Sequence, residues 1–533
     1  MKRVFVLTIS VLLVSAVGLN AQVTEEWVAR YDGLANGLDI AKALAIDDED
    51  NVYVTGYSDG SGTNSDYATL KYNSSGVEQW AARYDGPASF QDGGRAMAID
   101  GEGNIYVTGM SWGSGTSDDY ATVKYGSTGV QQWVARYDGP GSVSDGATAI
   151  AIDGEGNIYV TGTSGEDYAT VKYNSSGVQQ WEARYDGPGD DEDYATAMAI
   201  DDAGNVYVTG WSLGSEADND YATVKYNSSG VEQWAARYDG PAGGDDLAFA
   251  VGVDGSGNVY ATGTSSGDYA TVKYNSSGVE QWAARYDGPA SGNDLAFAMA
   301  VDGSGNVYAA GTSSGDYATV KYSPSGAQQW VARYDGPASG GGVYAIAVDG
   351  TGSVYVTGYS EGSGTSTDYA TVKYNSSGGE EWVVRYDGPA SGNDEAFALA
   401  LDGIGNVYVT GLSDGSGTGW DYATIKYSQD GGIAEKQKPE IADYELQVAQ
   451  LTYAPAGVEI SYFLPVSTWL SLRIYDATGR EVKTLVSERS PAGEHRVTWD
   501  GYDESGAHLS QGVYFVRLEA GSFNATKKVI LHR

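Results

Sequence analysis

The sequence predicts an all-β chain: an eight-bladed β-propeller closed by an N-terminal strand, followed by a small β-sandwich. Three observations predict it. Trp-x-x-Arg-Tyr-Asp-Gly starts at Trp27, Trp80, Trp133, Trp181, Trp234, Trp282, Trp330 and Trp382, at spacings of 53, 53, 48, 53, 48, 48 and 52 residues. After each copy come an alternating Ala-rich stretch such as Ala296 to Asp302, then Asn-Val-Tyr-Val-Thr-Gly or a close variant, then Asp-Tyr-Ala-Thr-Val-Lys-Tyr as at Asp268 to Tyr274. All four segments alternate with period two, are rich in Val, Tyr and Thr, and are bounded by Gly, Asn, Asp and Ser, which is the pattern of strands and turns. Four strands in about 50 residues make one propeller blade.

Phase decides closure. Taking the Ala-rich strand as a, Val-Tyr-Val-Thr as b, Tyr-Ala-Thr-Val-Lys-Tyr as c and Trp-x-x-Arg-Tyr as d, the eighth blade lacks its outer strand, because no Trp motif follows Tyr427. The chain opens with an orphan d strand, Trp27 to Tyr31, which can complete that blade and remove the exposed edge. The propeller is expected over 22–427, a linker over 428–445 and the sandwich over 446–533.

Composition excludes several functions. The chain has 533 residues with 75 Gly, no Cys, 3 His and 71 acidic against 31 basic side chains, a formal charge of −40. Thiol chemistry and disulfides are excluded, and a chain this acidic repels phosphate backbones, so no nucleic acid is expected as a partner. The three histidines, His495, His508 and His532, lie beyond the repeats. No Ser-His-Asp nucleophile, Cys-His nucleophile or His/Cys metal centre can therefore form in the propeller. Lys2 and Arg3 precede an apolar run from Val4 to Val17 and a small residue at Ala21, the pattern of a signal peptide over 1–21. That run is too short to span a bilayer, so the chain is expected to be exported and not membrane-spanning.

Residues present in every repeat read as blade structure. In the c–d hairpin closed by Asn73 to Gly76, a register with Tyr72 opposite Val77 places Lys71 opposite Glu78 and Asp66 opposite Arg83, as cross-strand ion pairs. The motif tryptophans read as packing between blades, and the Asn-Ser-Ser sequons as turn chemistry. The acidic turn Asp47, Asp48, Asp50 is the candidate metal site, with calcium as its ion, because carboxylate oxygens suit a hard cation. No other cofactor is expected. Loops b–c and d–a share one rim, and it is acidic.

Variation within the repeat points to a ligand site. Blades 1, 2, 4, 7 and 8 have nine residues between the Gly of strand b and the Asp of strand c, whereas blades 3, 5 and 6 have four. Long loops go with Tyr57, Met110, Trp211, Tyr359 and Leu412 after Thr-Gly, short ones with Thr163, Thr264 and Thr312. Trp112 and Trp420 are additional tryptophans inside Gly- and Ser-rich loops. Trp112, Trp211 and Trp420, with Tyr57 and Tyr359, are the candidate ligand-binding residues, because flat amphipathic rings stack on sugars and peptide aromatics.

Two resemblances follow from these residues. Asp302-Gly-Ser-Gly-Asn-Val-Tyr308 and its counterparts resemble the bacterial beta-propeller repeat family found in exported proteins. Leu472-Arg-Ile-Tyr-Asp-Ala-Thr-Gly-Arg-Glu-Val482, Trp499-Asp-Gly501, Gly512-Val-Tyr-Phe515 and Lys527-Lys-Val-Ile-Leu531 resemble the Ig-like C-terminal domain shared by type IX secretion cargo and the flagellar hook-capping protein. The second implies an Ig-like sandwich that engages the outer-membrane secretion machinery, and a final address outside a Gram-negative cell or on its surface. The sequence thus favours a cell-surface or secreted binding module with a carbohydrate or protein ligand on the rim of long b–c loops. Its rivals are a carboxylate-dependent polysaccharide hydrolase or lyase, for which no two carboxylates stand out, and a purely structural surface protein.

Overall fold

Outer strand d comes from the N-terminus in one blade only, and that blade closes the ring. The computed structural model describes residues 22–430, except 63, 89, 142, 190–191, 215–217, 242, 290–291 and 365, and then 445–448, 458–464, 468–476, 479–490, 493–520 and 523–531. The expected signal peptide at 1–21 and most of the expected linker lie outside the described residues. Residues 22–430 form eight four-stranded antiparallel sheets. The first consists of Asp39–Ile46, Val52–Asp59, Ser65–Tyr72 and Glu78–Tyr84 as strands a to d. The eighth consists of Asp394–Leu401, Val407–Gly415, Gly419–Asp430 and the N-terminal strand Gln22–Tyr31. Tyr31 pairs with Tyr422 and Gln22 with Asp430, so Ser428 and Gln429, assigned to the linker by sequence, continue strand c.

Each inner strand touches the next, and the eighth touches the first. No strand of one blade joins the sheet of the next, and apart from isolated backbone contacts such as Asp294 N to the Gly267 carbonyl at 2.7 Å and the Leu38–Trp420 bridge, side chains hold the junctions. The tyrosine of each strand c donates its hydroxyl to an alanine carbonyl of the next blade, from Tyr67 to Ala121 at 3.0 Å round to Tyr422 to Ala68 at 3.2 Å. The motif tryptophan does the same on the outside. Trp234 Nε1 donates to the Ser276 carbonyl at 3.1 Å, and its ring lies against Tyr207 and Tyr274. Gly278 faces that indole with φ +79°, and a Cβ there would lie 2.6 Å from Trp234 Cδ2. The turn therefore needs glycine both for its left-handed backbone and for the approach of the ring.

The motif arginine is the third tie. Arg83 reaches the Ser58 hydroxyl at 2.6 Å, the Ser58 carbonyl at 2.6 Å and Asp66 at 2.9 Å within its blade, and the Tyr31 hydroxyl of the preceding blade at 3.4 Å. The expected Asp66–Arg83 ion pair thus forms, but the register differs from the expected one. Tyr72 pairs with Glu78 and Lys71 with Trp80, with Gln79 as an extra residue in strand d. This bulge moves Lys71 away from Glu78. It lies instead over the Tyr53 ring at 4.9 Å and 3.8 Å from Asp47.

A second bulge sits in every inner strand. Ala41 pairs with Gly56 and Ala43 with Thr55, leaving Lys42 as the extra residue. Arg95, Thr148, Thr196, Phe249, Phe297, Tyr344 and Phe397 hold the same place in the other blades. An extra residue bends the strand and re-aims its side chain.

The C-terminal unit is a two-sheet sandwich. Glu445–Val448, Val458–Leu464 and Gly493–Trp499 form one sheet, and Thr468–Asp476, Glu481–Ser490, Gly512–Ala520 and Phe523–Leu531 the other. Inward alternation buries Ile460, Leu464, Leu472, Ile474, Val516 and Leu518 around Trp499, whose Nε1 donates to the Tyr502 carbonyl at 3.1 Å.

Replacing Trp234 by Ala should destabilise the protein by about 3 kcal/mol, the usual cost of removing a large packed aromatic. Gly278→Ala should also be destabilising, by displacing the same indole. Urea unfolding of the three proteins checks both; a Gly278→Ala variant as stable as wild type would contradict the clamp.

Candidate functional site

The bulged inner-strand residues meet around the centre of the ring. Phe249 lies 5.2 Å from Phe297, Phe297 6.1 Å from Tyr344, and Tyr344 5.1 Å from Phe397, between ring centroids. Trp211 extends the arc at one end, 6.0 Å from Phe249, and Lys42 caps the other, its Nζ 3.8 Å from the centre of Phe397. Aromatics from five consecutive blades thus form a continuous, half-buried arc. The rest of the circle is polar: Arg95 is exposed, while Thr148 and Thr196 donate to the carbonyls of Ala195 and Ala248 in the following blades at 2.9 Å.

Burial gives this circle its electrostatics. It lowers the Lys42 ammonium below its ordinary value, against the pull of Glu395. It raises the Glu395 carboxyl, against Lys42 and a hydrogen bond from the Tyr344 hydroxyl. Glu395 thus holds its proton to a higher pH than an ordinary glutamate, with a cation nearby. Beside the arc, a cavity of about 890 Å³ is lined by Arg95, Met110, Thr148, Tyr194, Thr196 and Trp211, with Glu166 and Glu192 at its edge. Its size suits a small organic ligand.

The five aromatic candidates are divided by this geometry. Trp211 lies in the cavity wall, stacked on Tyr194 at 5.3 Å. Tyr359 adjoins Tyr344 at 5.6 Å, and Tyr57 lies under Lys42 at 5.9 Å. These three belong to the circle. Trp112 instead packs on Phe90 at 5.3 Å, and Trp420 pairs with Asp414 across its own hairpin. Sequence reasoning missed Lys42, Arg95, Phe249, Phe297, Tyr344, Phe397 and Glu395. A signal was present: Lys42 and Arg95 are the only cations of residues 22–430 outside the repeated Arg and Lys positions, and they hold equivalent places in neighbouring blades.

The metal candidates Asp47, Asp48 and Asp50 lie in the first a–b turn. Asp47 Oδ1 accepts from Glu49 N at 3.0 Å and Asn51 N at 2.9 Å; Oδ2 accepts from Asn51 Nδ2 at 2.8 Å and the Tyr53 hydroxyl at 2.9 Å. Both oxygens are thus taken by hairpin donors. Asp48 is exposed, and Asp50 has φ +59° where the next turn has Gly103 at +75°. The same pattern recurs at Asp302. Burial acts to raise its carboxyl, but bonds from Asn306, Tyr308 and Ser304 N outweigh it and hold it below the ordinary aspartate value of 3.8.

A depressed carboxyl stabilises the fold above 3.8, and this contribution is lost as pH falls through the lower folded value. Asp302→Asn should therefore cost about 2 kcal/mol at neutral pH, the scale of a charge-assisted hydrogen bond. The difference from wild type should shrink below pH 3.8. Denaturant unfolding at pH 7 and pH 3 checks this; a pH-independent difference would contradict it.

Comparison with known proteins agrees with this architecture. The family model described as "Beta-propeller repeat" matches residues 26–62, 89–115, 132–169 and 185–216. The model "FlgD Ig-like domain" matches residues 452–523. No curated protein matches the chain. Among solved structures, the chain is similar to PorZ of Porphyromonas gingivalis, described as an essential bacterial surface component of the type-IX secretion system. Identity is 13%, coverage is 92% of this chain and 81% of that one, and the TM-score is 0.31. It is also similar to Sqt1 from Chaetomium thermophilum, with 12% identity, coverage of 76% and 100%, and a TM-score of 0.49. The chain therefore carries beta-propeller repeats within residues 26–216 and an FlgD Ig-like domain over residues 452–523.

Proposed function

We propose that this protein is an exported, surface-bound or secreted binding module that takes a carbohydrate over the aromatic arc at the centre of its b–c rim. The observation that carries the reading is convergence. The repeat is nearly invariant, yet its bulged inner-strand position carries Phe249, Phe297, Tyr344 and Phe397 in four successive blades, with Trp211 at their end. Half-exposed ring faces suit the apolar faces of sugar rings, and Arg95, Lys42 and Glu395 supply hydrogen bonds to hydroxyl groups. An acidic rim selects against polyanions and leaves neutral glycans. Export is supported by the N-terminal pattern of residues 1–21. Residues 446–533 are the segment through which the outer-membrane secretion machinery would engage the chain.

Binding of the full chain to a panel of neutral oligosaccharides, polysaccharides and surface proteins tests this. Trp211→Ala and Phe297→Ala should each weaken glycan binding about tenfold, or about 1.4 kcal/mol, with unchanged melting. Trp112→Ala should bind as wild type does. Binding to a protein but to no glycan would overturn the ligand class, and wild-type affinity in both ring variants would overturn the site.

A further inference from the structure

At most of the junctions where a d–a turn enters the next inner strand, three aspartates from two blades converge. At one junction they are Asp220 from strand c, Asp239 from the Tyr-Asp-Gly turn and Asp246 from the start of the next inner strand. At the ring closure they are Asp421, Asp32 and Asp39. One carboxylate oxygen from each member lies within 4.8 Å of the other two, and seven such groups occur among the described residues.

In these two groups two members are buried and only half satisfied, whereas at other junctions Asp92 and Asp145 have both oxygens bonded by backbone N–H groups. Asp246 Oδ2 accepts from Gly240 N, and Asp220 Oδ2 pairs with Arg237 at 2.7 Å. Asp39 Oδ2 accepts from Gly33 N at 2.9 Å, and Asp421 Oδ2 pairs with Arg30 at 2.7 Å. The remaining Oδ1 atoms of Asp246, Asp220, Asp39 and Asp421 are buried without a hydrogen-bond partner. These residues are 0%, 8%, 0% and 4% exposed. Buried acceptors are normally satisfied, so a repeated pair of unsatisfied carboxylate oxygens points to a ligand that supplies positive charge. Asp239 and Asp32 are exposed and leave each group open to solvent on one side.

Charge and size specify that ligand. Three carboxylates and one guanidinium leave a charge of about −2, which one divalent cation neutralises. Calcium binds oxygen at about 2.3–2.6 Å in flexible geometry, whereas magnesium demands about 2.1 Å and a near-ideal octahedron. Oxygens up to 4.8 Å apart match two calcium–oxygen bonds. Gly33 keeps the space open: a Cβ there would lie 2.2 Å from Ser58 Oγ and 2.5 Å from Asp39 Oδ1. The eighth junction is a natural control. Gly341 replaces the inner aspartate there, and burial together with a hydrogen bond to Asp335 raises the Asp316 carboxyl.

We propose that these two aspartate groups are calcium sites, each bridging one blade to the next, on the rim opposite the Asp47 turn. The test uses the full chain stripped with chelator and dialysed to equilibrium against calcium chloride. Wild type should bind close to two calcium ions and melt at higher temperature with calcium than in chelator. Asp246→Asn should bind one fewer, and Asp39→Asn, with its group at the closure, provides the same test should the first variant not fold. Fewer than one bound ion per wild-type chain at millimolar calcium would overturn the proposal, as would an unchanged count in a folded variant.

Discussion

Eight blades with no strand shared between their sheets stand or fall by what crosses each junction, and the guanidinium of the motif arginine is the group on which the junction is centred. Arg83 fixes strand b through the Ser58 carbonyl, strand c through Asp66, and the neighbouring blade through Tyr31. A planar fork with five donors can serve three strands at once where an ammonium cannot. Tryptophan outside and tyrosine inside then complete the seam. Because every seam uses the same residues, selection for the ring holds the repeat nearly constant, and the chain is left with few positions at which to build a specific surface.

Those positions lie where the inner strand carries its extra residue. The bulge takes one side chain per blade out of the alternation, so it can vary without disturbing the blade core. Aromatics gather on one side of the circle and Lys42, Arg95, Thr148 and Thr196 on the other. A symmetric scaffold thereby acquires a direction, with an apolar side and a polar side that a ligand must match together.

The strands were legible because period two and Gly-rich turns survive in every repeat, and closure was legible because the count of outer strands left one over. The bulges were not. An Ala-rich stretch such as Ala41 to Ala45 reads as alternating whether or not one residue is extra, so nothing in it marks Lys42 as displaced. The same blindness in strand d, at Gln79, gave the expected Lys71–Glu78 pair in place of the observed contacts with Tyr53 and Asp47. Loop length, by contrast, shows directly in the spacing and drew attention to Trp112 and Trp420, which the structure places on Phe90 and across a hairpin. The strand Glu445–Val448 was missed because it stands alone after a polar segment and pairs with Val458–Leu464 only in three dimensions.

The N-terminal closing strand also sets the order in which the molecule can be finished. Arg30 and Asp421 meet across 391 residues of chain, whereas Ser65 and Asp59 in a b–c hairpin meet across 6. Loop-closure entropy grows by about 0.6 kcal/mol for each doubling, so the last seam costs about 4 kcal/mol more to bring together than a hairpin does. Single blades can form as they are made, but the ring stays open until its final blade has emerged. A chain that closes only at its end remains threadable for nearly its whole length, and once stitched it has both ends of the propeller held in a single sheet.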